Sequence, residues 1–215
     1  MRKILYLIIC SVFLISGCGS SGGGAQFFET VIITADCETT SLDSDIMVWK
    51  LEDPNDGLND PCDINGTFPD TVNITINSGL YSPIDSEIPY SSVEIENVLI
   101  DYEPVSNTPS LASRFLELGQ TVDPNNSIML EIPIMHTQQK RGFLENPVYY
   151  AELIDGMAFY TYNVILTFRV VEIDSDKSGE VKTGLTVILH DFTCSEVGGP
   201  NCDDKCYHDP EAFRP

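Results

Sequence analysis

Residues 71–77 alternate without a break, Val72, Ile74 and Ile76 on one side and Thr71, Asn73, Thr75 and Asn77 on the other. A two-residue period places successive side chains on opposite faces of an extended strand, so this segment predicts one face in a core and one in water. Nowhere does a 3.6-residue apolar period run far enough to make a long helix, whereas short apolar runs recur between clusters of Gly, Pro, Asn and Asp. The chain therefore reads as all-β.

Seven further strands are expected, over 30–35, 45–51, 93–102, 127–135, 149–153, 158–172 and 182–191. In 93–102 the apolar set changes phase, from Val93 and Ile95 to Val98, Ile100 and Tyr102, which predicts a bulge near Asn97. The polar stretch 174–180, carrying Gly179, predicts an antiparallel hairpin between the last two strands. Residues 103–127 and 136–147 contain prolines and few β-branched residues, and are expected to be long connections or short helical turns. About eight strands with connections of mixed length predict an immunoglobulin-like two-sheet sandwich rather than a closed barrel. The Cys, Trp, Cys spacing of true immunoglobulin domains is absent, because Trp49 lies between Cys37 and Cys62, too close together for an inter-sheet bridge.

Ahead of the domain stand Arg2 and Lys3, an apolar run over 4–15, and Ser16-Gly17-Cys18. Basic start, short apolar core and small residues define a cleaved export signal, and the run is too short to span a bilayer. Leu14-Ile15-Ser16-Gly17-Cys18 resembles the lipobox of bacterial lipoproteins. That resemblance implies acylation of Cys18, which becomes the mature N-terminus, and a stable membrane anchor from more than one acyl chain. Gly19, in place of the Asp that marks inner-membrane retention in that family, implies the outer membrane, with the domain facing periplasm or cell surface. The organisation that follows is a signal peptide over 1–17, a Gly/Ser tether over 18–27, a sandwich domain over 28–193 and a cysteine-rich tail over 194–215. Eight tether residues have a root-mean-square span of roughly 15 Å.

Loss of the leader removes two of the 11 basic side chains and none of the 33 acidic ones, leaving a balance of 9 − 33 = −24. Such a charge argues against nucleic acid and against direct binding to an anionic membrane face. It is compatible with cationic partners and divalent metals, and equally with a surface that merely keeps an exported protein soluble.

Besides the acylated Cys18, five cysteines remain in the mature chain, Cys37, Cys62, Cys194, Cys202 and Cys206. In an oxidising compartment they are disulfide candidates, two bridges with one thiol over, and their pairing stays open. Cys202, Cys206 and His208 also have the short spacing of a zinc site, which the compartment disfavours. The C-x-x-C-H haem motif is not met. Glu52, Asp56, Asp60 and Asp63, with Gly57 at the sharp turn, resemble a calcium loop of the EF-hand or thrombospondin type, although Pro54 takes a position normally held by Asp or Asn. Asp174, Asp176, Ser178 and Gly179 match half of the same pattern, with Leu185 where the closing chelator belongs. Ordinary turn chemistry accounts for both. No cofactor is expected, with calcium at the first loop as the alternative.

No nucleophile elbow, paired-histidine zinc motif or phosphate loop is present. His136, His190 and His208 form no set, and no catalytic residue is assigned. Tyr149, Tyr150, Phe159, Tyr160 and Tyr162 suit either a core or a binding surface for peptide or glycan. Gln138-Gln139-Lys140-Arg141 is the one basic spot, read as a solvated loop or a contact for an acidic partner. The expected function is that of a lipid-anchored, non-enzymatic binding or structural accessory of the envelope, with an envelope protein or glycan as partner. An envelope hydrolase or thiol-redox enzyme using the tail, and a calcium-dependent adhesion module, are the alternatives.

Overall fold

The computed structural model describes residues 24–46, 48–51, 62–80, 90–155 and 158–190. Eleven strands are found among them: β1 (Gln26–Phe27), β2 (Val31–Cys37), β3 (Ser41–Asp45), β4 (Val48–Leu51), β5 (Cys62–Gly66), β6 (Asp70–Leu80), β7 (Val93–Pro104), β8 (Arg114–Val122), β9 (Asn126–Met135), β10 (Tyr160–Glu172) and β11 (Lys177–His190). Between β9 and β10 lie helix α1 (Thr137–Leu144), helix α2 (Pro147–Tyr150) and a π-helical turn (Ala151–Asp155). No helix among the described residues is long and apolar enough to cross a membrane.

Nine strands form the expected two-sheet sandwich. One sheet has the order β1-β2-β6-β9, the other β3-β11-β10-β7-β8, and β4 pairs with β5 in a separate ribbon. Neighbours run antiparallel, except that β3 lies parallel to β11.

The alternation of β6 holds: Val72, Ile74 and Ile76 are buried, while Thr71, Asn73, Thr75 and Asn77 make up the outer face. On that face Asn77 Nδ2 donates to Asp36 at 2.9 Å, Asn73 Nδ2 to Glu38 at 2.9 Å and Thr71 Oγ1 to Glu131 at 2.8 Å. Val31, Ile33, Ala35, Ile132 and Ile134 complete one wall of the core, and Ile95, Val98, Ile100, Val164, Leu166, Phe168, Val170, Val187 and Leu189 the other. Each fully buried large aliphatic side chain contributes roughly 1.5–3 kcal/mol relative to exposure.

The expected bulge in β7 is present. Ile95 faces Val170 and Asn97 faces Arg169, so Glu96 is the extra residue that lets both apolar sets point inward. A second bulge lies on β8, where Ile95 pairs with Gln120 but Asn97 with Glu117, and Gly119 takes the left-handed conformation at φ 58°.

Four expectations are corrected. Residues 149–153, expected as a strand, are helical, because Asn146 accepts a hydrogen bond from Val148 N at 3.0 Å and Pro147 occupies the first helical position, where its missing N–H is harmless. Residues 45–51 are not one strand: Ile46, fully buried, bonds to His190 O at 2.9 Å and ends β3, and the next strand joins a different sheet. Within 103–127, expected to be a connection, Arg114–Val122 forms the edge strand β8, its leucines half-buried and its alternation broken at Gly119. The hairpin turn is shorter than 174–180, since Glu172 already pairs with Lys177 and only 173–176 turn, with Asp176 at φ 54°.

One end of the sandwich is closed by a buried carboxylate. Glu172 accepts from Thr30 Oγ1 at 2.9 Å, from Thr30 N at 3.2 Å and from Ser175 Oγ. Ser91 N donates to Thr30 Oγ1 and Asp174 N to Ser91 Oγ, both at 3.1 Å. Burial alone would raise the Glu172 carboxyl, but the bonds from Ser175, Thr30 and the Glu29 backbone outweigh it and hold the group below the ordinary glutamate range.

Candidate functional site

The opposite end carries the helical excursion from His136 to Phe159, the one part of the described chain that departs from the β plan. Helix α1 starts where Gln139 Oε1 accepts from His136 N at 2.9 Å. The helix turns Lys140, Phe143 and Leu144 inward. Lys140 is 1% exposed; its Nζ lies 2.9 Å from Asp70 Oδ2 and donates to Asp45 O at 2.6 Å. Ser44 Oγ donates to the same Asp70 oxygen at 2.5 Å. A buried ammonium is tolerated only with such partners, and here they come from both sheets.

Beside this pair the rings of Phe143, Tyr149 and Tyr160 pack together, with centroids 5.7 Å, 5.6 Å and 5.9 Å apart and Tyr149 edge-on to Tyr160. Tyr160 OH donates to the Glu152 carboxylate. Burial first, and that carboxylate second, push the Tyr160 phenol well above its ordinary value, so it stays a neutral donor. Tyr162 OH donates to Pro109 O at 2.8 Å and Tyr102 OH to Ile134 O at 2.5 Å, which places both phenols in the frame of the fold rather than at its surface.

At the rim, Phe159 stacks on the His190 imidazole with centroids 4.0 Å apart and planes 28° from parallel, while His190 Nδ1 lies 2.8 Å from Ala158 O. Phe159 is 57% and Val148 60% exposed. Of the aromatic set singled out in the sequence, Tyr160 and Tyr162 thus belong to the core, Tyr149 and Tyr150 are half-buried, and Phe159 faces water. The cap can offer apolar and aromatic contact, with the exposed carboxylates Glu145 and Glu152 and the exposed Arg141 around it.

The basic spot is corrected. Lys140 is not an exposed docking charge, because its acidic partner is Asp70 of the same chain. Nothing in the sequence pairs residues 70 and 140; the sole signal was a lysine among the apolar positions of a short helix.

Cys37 ends β2 opposite Ile74, pointing inward, and burial raises its thiol most, with Glu38 adding to the shift and the Thr39 backbone opposing it. It is free among the described residues. Cys62 and Asp63 lie on β5 opposite Leu51 and Lys50. Cys18, Glu52, Asp56, Asp60, Cys194, Cys202, Cys206 and His208 lie outside the described residues. Asp174 and Asp176 sit in the hairpin turn, whereas Ser178 and Gly179 are strand residues opposite Val171 and Val170. Among the described residues no three His, Cys, Asp or Glu side chains converge on one point.

No family model matches the sequence, and no curated protein matches it. Among solved structures, the chain is similar to a protein from Archaeoglobus fulgidus at 8% identity and a TM-score of 0.32, over 76% of this chain and 95% of that one.

Proposed function

We propose that this protein is a lipid-anchored outer-membrane lipoprotein that holds a helical, aromatic-edged cap away from the bilayer to engage another envelope component, protein or glycan, without catalysing a reaction. The observation that supports this reading is the disposition of the two ends. The chain arrives through β1, turns at Glu29 and Thr30 beside Glu172, and rises into β2. The cap stands at the other end of β10, whose 13 residues span about 40 Å at the usual rise per residue. An N-terminal anchor therefore leaves Val148 and Phe159 on the side facing away from the lipid.

Aromatic and aliphatic side chains at such a rim supply large contact area at low entropic cost. The experiment is site-directed photo-crosslinking in intact cells, with the reactive residue at position 148 or, as a control, at position 99 on the outer face of β7. The reading expects a discrete heavier adduct from position 148 and none from position 99. No adduct from the cap, or the same adducts from both positions, overturns it.

A further inference from the structure

We infer that the Glu172 end of the sandwich rests on the headgroup layer of the bilayer, with Phe27, Leu80, Tyr90 and Ile173 as its contact points; this rests on the acylation of Cys18 proposed above. The four side chains come from β1, the end of β6, the approach to β7 and the β10–β11 turn, and are 58%, 41%, 46% and 47% exposed. Their positions are tied together: Phe27 pairs with Ile32 and Leu80 with Val31, Ser91 N bonds Thr30, and Ile173 N bonds Ser92 O at 3.0 Å.

The reach of the anchor selects this end over the other. Gly24 N donates to Lys182 O at 3.0 Å, and Gln26 pairs with Ile33, so the chain is already held on the sandwich six residues after Cys18. Six residues extend to about 20 Å at most. From Lys182 down β11 to Lys177 is five residues, about 17 Å, and from Lys182 up to His190 is eight, about 27 Å, with the cap beyond. Cys18 can thus lie level with the Glu172 end and cannot lie level with the cap. The flank within the same reach exposes Glu180 and Lys182, which prefer water.

Apolar and aromatic tips at an interface are favourable in the headgroup region. The same end exposes Asp123, Asp174 and Asp176, and its cation, Lys177, is paired with Glu29. The surface it fits is accordingly zwitterionic, and anionic lipid weakens the contact.

The test uses the full acylated protein in phosphatidylethanolamine–phosphatidylcholine vesicles, with amide hydrogen exchange followed by mass spectrometry against the Cys18→Ser chain in solution. The inference expects exchange over 90–92 and 173–176 to slow by about ten-fold, a local protection of the kind exchange resolves, with 141–150 unchanged. Replacing a third of the lipid by phosphatidylglycerol should reduce that protection. The Phe27→Ser/Tyr90→Ser/Ile173→Ser variant, altered only at exposed positions, should lose it while staying anchored. Acylated protein that floats with the vesicles but shows no protection at these segments, or protection at the cap instead, overturns the inference and leaves the anchor intact. An unacylated N-terminal peptide in the same digest overturns both.

Discussion

Lys140 Nζ lies 2.9 Å from Asp70 Oδ2 with the lysine 1% and the aspartate 19% exposed, an ion pair that pins helix α1 to the junction of the two sheets. Ser44 and the Asp45 carbonyl, which complete it, belong to the end of β3, and Asp70 to the start of β6. Removing one partner of a buried pair leaves the other charge uncompensated, a loss of about 3–5 kcal/mol. Lys140→Ala should therefore lower the urea midpoint by more than any exposed substitution in α1, such as Arg141→Ala. Asp70→Asn should cost less than full charge burial implies, because that carboxyl keeps some contact with water. Equal midpoints for wild type and Lys140→Ala would contradict the packing described.

Acid should attack the other end through Glu172. Its carboxyl is held below the ordinary glutamate range in the fold, so the unfolded chain takes up the proton first. The stabilisation is present above the unfolded value and is lost as pH falls through the folded one. Glu172→Gln should be less stable at neutral pH, by about 1–3 kcal/mol for a buried acceptor left poorly matched. It should also show a shallower loss of stability below about pH 4.5. Parallel curves for the two proteins would refute the assignment.

His136 titrates in a separate window. Burial, and secondly the Arg114 guanidinium, hold its imidazole below the ordinary value, and its Nε2 is buried without a hydrogen-bond partner. A histidine with a depressed folded pKa makes the unfolded state bind more protons once pH drops below about 6.5, so stability falls from there downward. His136→Asn keeps a good N-cap residue and removes the titration. Its thermal midpoint should be flatter than that of wild type between about pH 6.5 and 5. An unchanged slope would show that the imidazole is not strained.

Two glycines should respond unequally to the same substitution. A Cβ at Gly184 would lie 2.6 Å from the Val164 carbonyl oxygen, a backbone atom in a central strand that cannot swing aside. Gly119 has open space around it, and its cost is only that of the left-handed conformation, about 1–2 kcal/mol. Gly184→Ala should therefore be the more destabilising by calorimetry, and Gly119→Asn should be nearly silent. The reverse order would place the β10–β11 contact wrongly.

The sandwich could be read from strands whose faces differ in polarity. Val72, Ile74 and Ile76 declared β6, and the phase change at Asn97 declared the bulge, because both depend on local side-chain order alone. Strand β8 stayed hidden since its inward residues, Leu116 and Leu118, have little β preference and its Gly119 bulge interrupts the period. Residues 149–153 carry a strand-like composition, but the Asn146-Pro147 helix start ahead of them decides the local structure. The Lys140–Asp70 pair and the Glu172 cluster were beyond reach, for they join residues 70 and 142 positions apart and depend on how the sheets close.

The most direct test of the account is the mass of the N-terminal peptide of the mature protein, taken together with detergent-phase partition of wild type and Cys18→Ser. Acylation at Cys18, with the variant left in the aqueous phase, is the predicted result. A mature chain that begins elsewhere, or a serine variant that still partitions with detergent, would contradict it.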